Sequence, residues 1–226
     1  MVLEVVQKEV PASGVGYIIL RDCPEERIGE ALGRGMDKLK RSNAARVLAT
    51  SLPEGEPLLD GPIGGWRLTH VYDLVVLDRD LTAERPRPAK KLALRPVKKA
   101  GEEKTFLELS ARCMQGVPHA HTYNADELKA PNHRFGLVWE GESAVGFYDL
   151  DTEEKETVIA AFGVDPDRRG QGLGAELVVG LMERIVSQKG QSCHARTATT
   201  NAPAMATLAK CGFTQSGELT TWFEVV

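Results

Sequence analysis

The sequence predicts a mixed α/β (α+β) chain, and three observations carry that reading. Segments of strand and helix character alternate along all 226 residues instead of separating into blocks. The apolar run Val158 to Val164 passes through a glycine-dense turn into a helix with a clean apolar stripe. Hydrophobic residues make up 42% of the chain, enough for a core. No apolar run approaches the ~20 residues that span a bilayer.

In chain order, Val15 to Leu20 reads as a strand, Glu25 to Lys40 as a helix and Ala45 to Ser51 as a strand. Gly65 to Leu74 follows as another strand. Gly29, Gly33 and Gly35 fall inside the helix and are expected to weaken it by ~1 kcal/mol each. The proline-punctuated stretch Leu81 to Leu92 suits a linker, so domains of 1–85 and 86–226 are expected. Beyond it come a strand from Lys91 to Val97 and a helix from Glu102 to Gln115. A loop with His119, His121 and Tyr123 then leads to a short helix near Ala125 to Lys129. Two strands, Phe135 to Glu140 and Ser143 to Leu150, join at Gly141. After the strand ending at Val164, the residues Leu173, Leu177, Val178, Leu181, Met182 and Ile185 recur at helical spacing, and Lys189-Gly190 stops that helix. Cys193 to Thr199 is a strand of weak propensity. Asn201 is placed to cap a short helix, with Pro203 tolerated in its first turn. Strands Phe213 to Gly217 and Leu219 to Val225 close the chain.

The chemistry is concentrated in Asp165-Pro166-Asp167-Arg168-Arg169-Gly170-Gln171-Gly172-Leu173-Gly174-Ala175. Glycines let a backbone approach phosphate oxygens, first-turn N–H groups point at them, and the helix dipole favours their charge. A Walker A loop is excluded, because no Lys-Ser or Lys-Thr follows the glycines. A dinucleotide fingerprint is excluded as well, since the glycines fall at 170, 172 and 174. Arg169-Gly170-Gln171-Gly172-Leu173-Gly174 instead fits Arg/Gln-x-x-Gly-x-Gly/Ala. Together with Val164-Asp165-Pro166, it resembles the acetyl-coenzyme A loop of the GNAT superfamily of N-acetyltransferases. Asn201-x-x-Ala204 running to Gly212-Phe213 resembles a second motif of that superfamily, in the expected order and spacing. The resemblance covers about residues 91–226.

That resemblance implies a GNAT-type, mostly antiparallel central sheet with a V-shaped split, flanked by helices. It implies acetyl-coenzyme A as cosubstrate. The pyrophosphate would meet the backbone of Arg168, Arg169, Gly170, Gln171, Gly172, Leu173, Gly174 and Ala175. The pantetheine arm would run beside Phe162, Gly163 and Val164, with Asn201, Ala204, Leu208 and Lys210 also at the cofactor. The Val164 N–H would donate to the thioester oxygen. Relatives often place a glutamate base on the strand before the loop, but here those positions are Ala160 and Ala161. A tyrosine acid is often found at the position of Leu208. Replacement bases are Asp149, Asp151, Glu156, His194, His119 or His121. Tyr123, Trp139 and Tyr148 either line an acceptor pocket or pack the core. The reaction implied is direct acetyl transfer to a primary amine of a small molecule or peptide. The rival reading is an acyl-coenzyme A-binding sensor of little or no activity.

The first half has the look of a shortened, degenerate copy of the second, with Val15 to Leu20 matched to Val145 to Tyr148. Cys23-Pro24-Glu25-Glu26 offers acidic groups where the second half offers arginines, so that half, a degenerate copy or else an unrelated small α+β domain, is expected to be structural. Residues 1–96 carry 15 basic and 14 acidic side chains, whereas residues 97–226 carry 13 and 18. An acidic second half favours a cationic amine and gives no basic stripe for nucleic acid. Four well-separated cysteines suit reduced thiols, and no metal site is expected. With neither a signal-peptide pattern nor a membrane span, a cytoplasmic protein is expected. The acceptor is its expected partner, and a homodimer is left open.

Overall fold

A computed structural model describes residues 2–52, 57–89, 92–152 and 157–226. The elements are β1 (Val2–Val6), α1 (Val10–Ser13), β2 (Val15–Arg21), α2 (Glu25–Arg41), β3 (Arg46–Ser51), β4 (Gly61–Ile63), β5 (Trp66–Asp80) and β6 (Ala93–Pro96). There follow α3 (Ala100–Met114), β7 (His133–Glu140), β8 (Ser143–Asp151), β9 (Thr157–Val164), α4 (Leu173–Ser187), β10 (Ser192–Ala198), α5 (Ala202–Lys210) and β11 (Thr214–Val225). They gather into two compact units that interleave along the chain. One holds residues 1–75, 198–200 and 218–226, the other 76–197 and 201–217.

In the first unit the strand order is β1-β2-β3-β11-β5, with β4 paired to β5. β1 runs antiparallel to β2, β2 parallel to β3, and β3 antiparallel to β11, with Phe223 opposite Ala49. α2 makes the crossover between the parallel strands. It carries Glu25 and Glu26 in its first turn and Lys38, Lys40 and Arg41 in its last, which complements the helix dipole. Ile28, Ala31, Leu32 and Leu39 form its buried stripe, packed with Ile18, Leu20, Phe223 and Val225. Gly29 is more than a weak point: a methyl group there would fall 2.6 Å from Gly64 Cα, so the small residue permits a close backbone approach. The β2–α2–β3 and β9–α4–β10 segments share one connection, a parallel strand pair joined by a helix.

The second unit orders its strands β5-β10-β9-β8-β7-β6. Pairings from β6 to β9 are antiparallel, and β9 with β10 is parallel. Side chains alternate across the sheet, so successive β8 residues report its two faces. Phe147 packs under α3 with Phe106, Leu109, Cys113, Phe135 and Leu137. Tyr148, on the other face, lies beneath the Arg184 guanidinium of α4, 5.8 Å from the ring centre. Helix α4 buries Leu177, Val178, Leu181, Met182 and Ile185.

Some elements differ from expectation. The short helix near 125–129 is a single 3-10 turn, Glu127–Lys129. The two closing strands are one, β11, whose halves belong to different units. Gly217 has no tight-turn conformation to interrupt it. Within the expected linker, Leu81 is buried and its N–H donates to Gln191 O at 2.8 Å, so the stretch begins tied to the second unit.

Candidate functional site

Two register shifts build the site. Along β8 and β9, Phe147 faces Gly163, Tyr148 faces Phe162 and Asp149 faces Ala161, but Leu150 faces Ile159. Ala160 is therefore the extra residue of a β-bulge, which bends and twists its strand. On the other side, among the described residues, β9 pairs with β10 through Thr157, Val158 and Ile159, opposite Cys193, His194 and Ala195. Both strands continue, β9 to Val164 and β10 to Ala198, with no further pairing between them among the described residues. The bulge directly follows the last paired residue, Ile159, and the β9–β10 ladder ends there. Phe162, Gly163 and Val164 follow the bulge, and each is partly exposed.

The glycine loop closes the open end. Asp165 caps a short 3-10 turn, its side chain accepting from Asp167 N at 3.2 Å, and the Arg112 guanidinium pairs with it. Gly170 and Gly172 have φ of 75° and 79°, a region other residues enter only with strain. A methyl group at either would meet nothing within 4 Å, so the loop faces open space and glycine is needed for its shape. Gly172 is the cap of α4, leaving the N–H groups of Leu173, Gly174 and Ala175 without intrahelical partners. That suits an anion. The arginines are engaged elsewhere. Arg168 pairs with Glu140, and Arg169 donates to Cys113 O at 2.9 Å and to Val164 O at 3.4 Å. They brace the loop, while its backbone faces outward; Gln171 is exposed.

Asn201 caps α5, accepting from Ala204 N at 3.4 Å and donating to Thr197 Oγ1 at 3.2 Å. Leu208, expected at the cofactor, is fully buried on the inward face of α5, which corrects that assignment for its side chain. Leu173 is buried too, so only its amide is available. Lys210 is exposed in the last turn.

Of the expected bases, His194 sits on the paired side of the split and its Nδ1 lies 2.7 Å from Asp78 Oδ1. Glu156 lies outside the described residues. Asp151 accepts from Asn132 Nδ2 at 3.2 Å. Asp149 is the outlier, a carboxylate only 2% exposed and opposite Ala161 beside the bulge. Tyr123 donates to its Oδ2 at 3.0 Å and His133 Nδ1 lies 2.7 Å from its Oδ1. Burial raises the Asp149 pKa, and hydrogen bonds and charge from His133, with Tyr123 and His121, oppose that rise. His121 Nε2 stands 3.5 Å from Glu127, while Tyr148 is fully buried and belongs to the core.

His133 was not singled out in the sequence. The signal lies in the β7–β8 hairpin, where Trp139 faces Ala144 but Val138 faces Gly146. Val145 is the extra residue, and this second bulge puts His133 on the Asp149 face. Burial pushes the thiols of Cys113 and Cys193 up to about 12 and that of Cys211 to about 11. A thiolate nucleophile is correspondingly disfavoured. Among the described residues, no group of three or more His, Cys, Asp or Glu is arranged to hold a metal, and no helix is long and apolar enough to cross a membrane.

Comparison with known proteins agrees with this geometry. The chain is 26% identical over 201 residues to a mycothiol acetyltransferase of Actinosynnema mirum, covering 84% of this chain and 66% of that protein. It thus spans about two thirds of that relative's length. A GCN5-related N-acetyltransferase from Sphaerobacter thermophilus superposes with a TM-score of 0.62 at 12% identity, covering 98% of this chain and 75% of that one. A tandem GNAT protein from the clavulanic acid biosynthesis pathway gives 0.55 at 15% identity, covering 95% and 75%. At such identities the superpositions speak for the fold alone. The profile of the acetyltransferase (GNAT) family matches residues 103–213, which hold the bulged strand, the split and the glycine loop. That segment is a GNAT-family acetyltransferase domain.

Proposed function

We propose that the protein transfers an acetyl group from acetyl-coenzyme A to the primary amine of a small molecule or peptide by direct attack. One observation carries the reading: the bulge at Ala160 falls where β9 stops pairing with β10, and the opened strand runs into the Gly170–Gly172 turn. A gap between strands offers backbone groups to a pantetheine arm, and the amides that begin α4 suit its diphosphate. The Val164 N–H is the donor we assign to the thioester oxygen, where negative charge grows as the amine attacks. Coenzyme A leaves as a thiolate, with a pKa near ~8.5 by analogy with cysteine, so a strong acid is not required. Positioning of the two reactants supplies several kcal/mol.

Direct attack is favoured over an acyl-enzyme because the three cysteines of this unit are buried and hold their protons. The relative from Actinosynnema mirum is a mycothiol acetyltransferase, and we carry a small-molecule amine as the first acceptor class. The deciding experiment pairs calorimetric binding of acetyl-coenzyme A with a thiol-release screen over polyamines, aminoglycosides, amino acids and peptide N-termini. Micromolar binding with amine-dependent release is expected. Binding without release from any amine would favour a sensor, and absence of binding would end the reading.

A further inference from the structure

We propose that Arg169 is a positioning residue of the acetyl transfer: it fixes the peptide that follows Val164 and so aims the Val164 N–H at the thioester oxygen. This rests on the acetyl-transfer reading above. The β8–β9 ladder tells which backbone groups of β9 are open. Asp165 N donates to Val145 O at 2.9 Å, and two residues back Gly163 stands opposite Phe147 in the same register. In an antiparallel pair, hydrogen-bonded residues alternate with non-bonded ones. Val164, opposite Gly146, therefore turns its N–H and C=O away from β8. β9 lies between β8 and β10, so both groups face the side where the β9–β10 ladder has ended.

Arg169 takes up one of the two. Its Nε donates to Val164 O at 3.4 Å and its Nη2 to Cys113 O at 2.9 Å. The peptide between Val164 and Asp165 is thus held at both ends, its carbonyl by the guanidinium and its N–H by Val145. A peptide is planar, so pinning both groups leaves Val164 little freedom to rotate. The second anchor suits a cation as well. Cys113 lies in the last turn of α3, where carbonyls lack intrahelical donors and the helix dipole is negative. The helix end comes this close because residue 163 is glycine: a methyl group there would fall 2.8 Å from Cys113 Cβ and 2.7 Å from the Phe147 ring. A guanidinium presents its donors in a rigid fork, so one side chain meets two carbonyls on different elements.

Phosphate binding is the competing role for this arginine, and the contacts favour the brace. The loop has other supports: Asp165 caps its 3-10 turn and pairs with Arg112, and Arg168 pairs with Glu140. It keeps its grip on the diphosphate when Arg169 is removed. What is lost is the aim of one N–H, the group toward which negative charge grows as the amine attacks. The residue therefore acts on kcat and spares cofactor affinity.

The test uses the full chain, its best acceptor from the amine screen and two thioesters, acetyl-coenzyme A and S-acetylpantetheine, which has no diphosphate. Arg169→Met keeps the apolar stem and removes the donors, and Arg169→Lys keeps the charge without the fork. Each is compared with the parent for kcat, calorimetric affinity, thermal midpoint and the infrared carbonyl stretch of bound acetyl-coenzyme A, isotope-labelled at the acetyl carbon. Arg169 is exposed, so the thermal midpoint should change little. Arg169→Met should bind acetyl-coenzyme A within about threefold of the parent and lose roughly 30-fold in kcat with either thioester. Arg169→Lys should recover part of that loss. The bound carbonyl stretch, lowered in the parent by the Val164 N–H, should return toward its solution value in Arg169→Met; a loss of stability alone does not move it, and the readout needs no acceptor. Parental kcat with an unmoved stretch in folded Arg169→Met would overturn the proposal. Weakened acetyl-coenzyme A affinity with unchanged S-acetylpantetheine turnover would overturn it too, and would make Arg169 a phosphate ligand. Should Arg169→Met fail to fold, the same results in Arg169→Ala count equally. If the parent itself does not bind acetyl-coenzyme A, the site reading fails and this assignment falls with it.

Discussion

Gly172 shows what single residues contribute to the loop. Its φ of 79° turns the chain so that the first amides of α4 face outward, and no side chain crowds it. Replacing it with valine puts a β-branched residue in the left-handed region, at a cost of about 1–2 kcal/mol. The strain is relieved by rotating the amides away, so calorimetry should show acetyl-coenzyme A affinity reduced more than tenfold while the fold survives. Unchanged affinity would mean that this turn does not hold the diphosphate. The cysteines give a second residue-scale test. Cys193 is fully buried with a thiol pKa pushed to about 12, so Cys193→Ala should retain kcat within about twofold, and acetyl-coenzyme A alone should leave no acetyl group on the protein. A trapped acetyl-cysteine would reverse the direct-attack assignment. Residue-scale features differed in how far the sequence exposed them. The glycines were legible because a positive φ and a helix start are local events, written in consecutive residues. His133 was not, because its partner Asp149 stands on the next strand and Val145 shifts the register between them. Without that bulge the histidine would face the opposite side of the sheet.

Among the elements, β9 does the most to shape the site. Its alternation and apolar character made it readable as a strand, and the helix after it was readable from the stripe Leu177, Leu181 and Ile185. The bulge was invisible, since Ala160-Ala161 looks like ordinary strand sequence and only its neighbours reveal the extra residue. Deleting Ala160 should restore a regular β8–β9 ladder and move one end of the strand to the other face. Either Ile159 leaves the core or Phe162 and Val164 change sides, and in both cases the gap beside β10 is lost. The expected result is a folded protein of lower thermal midpoint with no measurable acetyl-coenzyme A binding. Calorimetry on a sample whose circular dichroism is native-like checks this, and retained binding would show that the bulge does not set the split.

For the whole molecule, the question is whether the chain can be cut near the proline-rich stretch at 85. Composition suggested a linker there because Glu84-Arg-Pro-Arg-Pro is polar and stiff, and sequence alone cannot report that distant strands complete each unit. In the first unit, residues 218–226 supply Trp222, Phe223 and Val225, each at least 95% buried; Trp222 meets Tyr17 edge-on at 5.3 Å, and Thr50 Oγ1 donates to Thr221 O at 2.7 Å. Removing large apolar side chains from a core costs about 3 kcal/mol or more apiece. Three together rival the ~5–15 kcal/mol net stability of a whole domain. The second unit likewise uses residues 76–81, where Asp78 meets His194 and Leu81 closes on Gln191. Residues 1–85 expressed alone should therefore show no cooperative thermal transition, and residues 86–226 alone should melt well below the intact chain. Co-expressed as two pieces, they should co-purify, because 218–226 belongs to the unit built mainly from the first piece. A sharp, native-like melt of 1–85 by itself would show that the first half folds without β11.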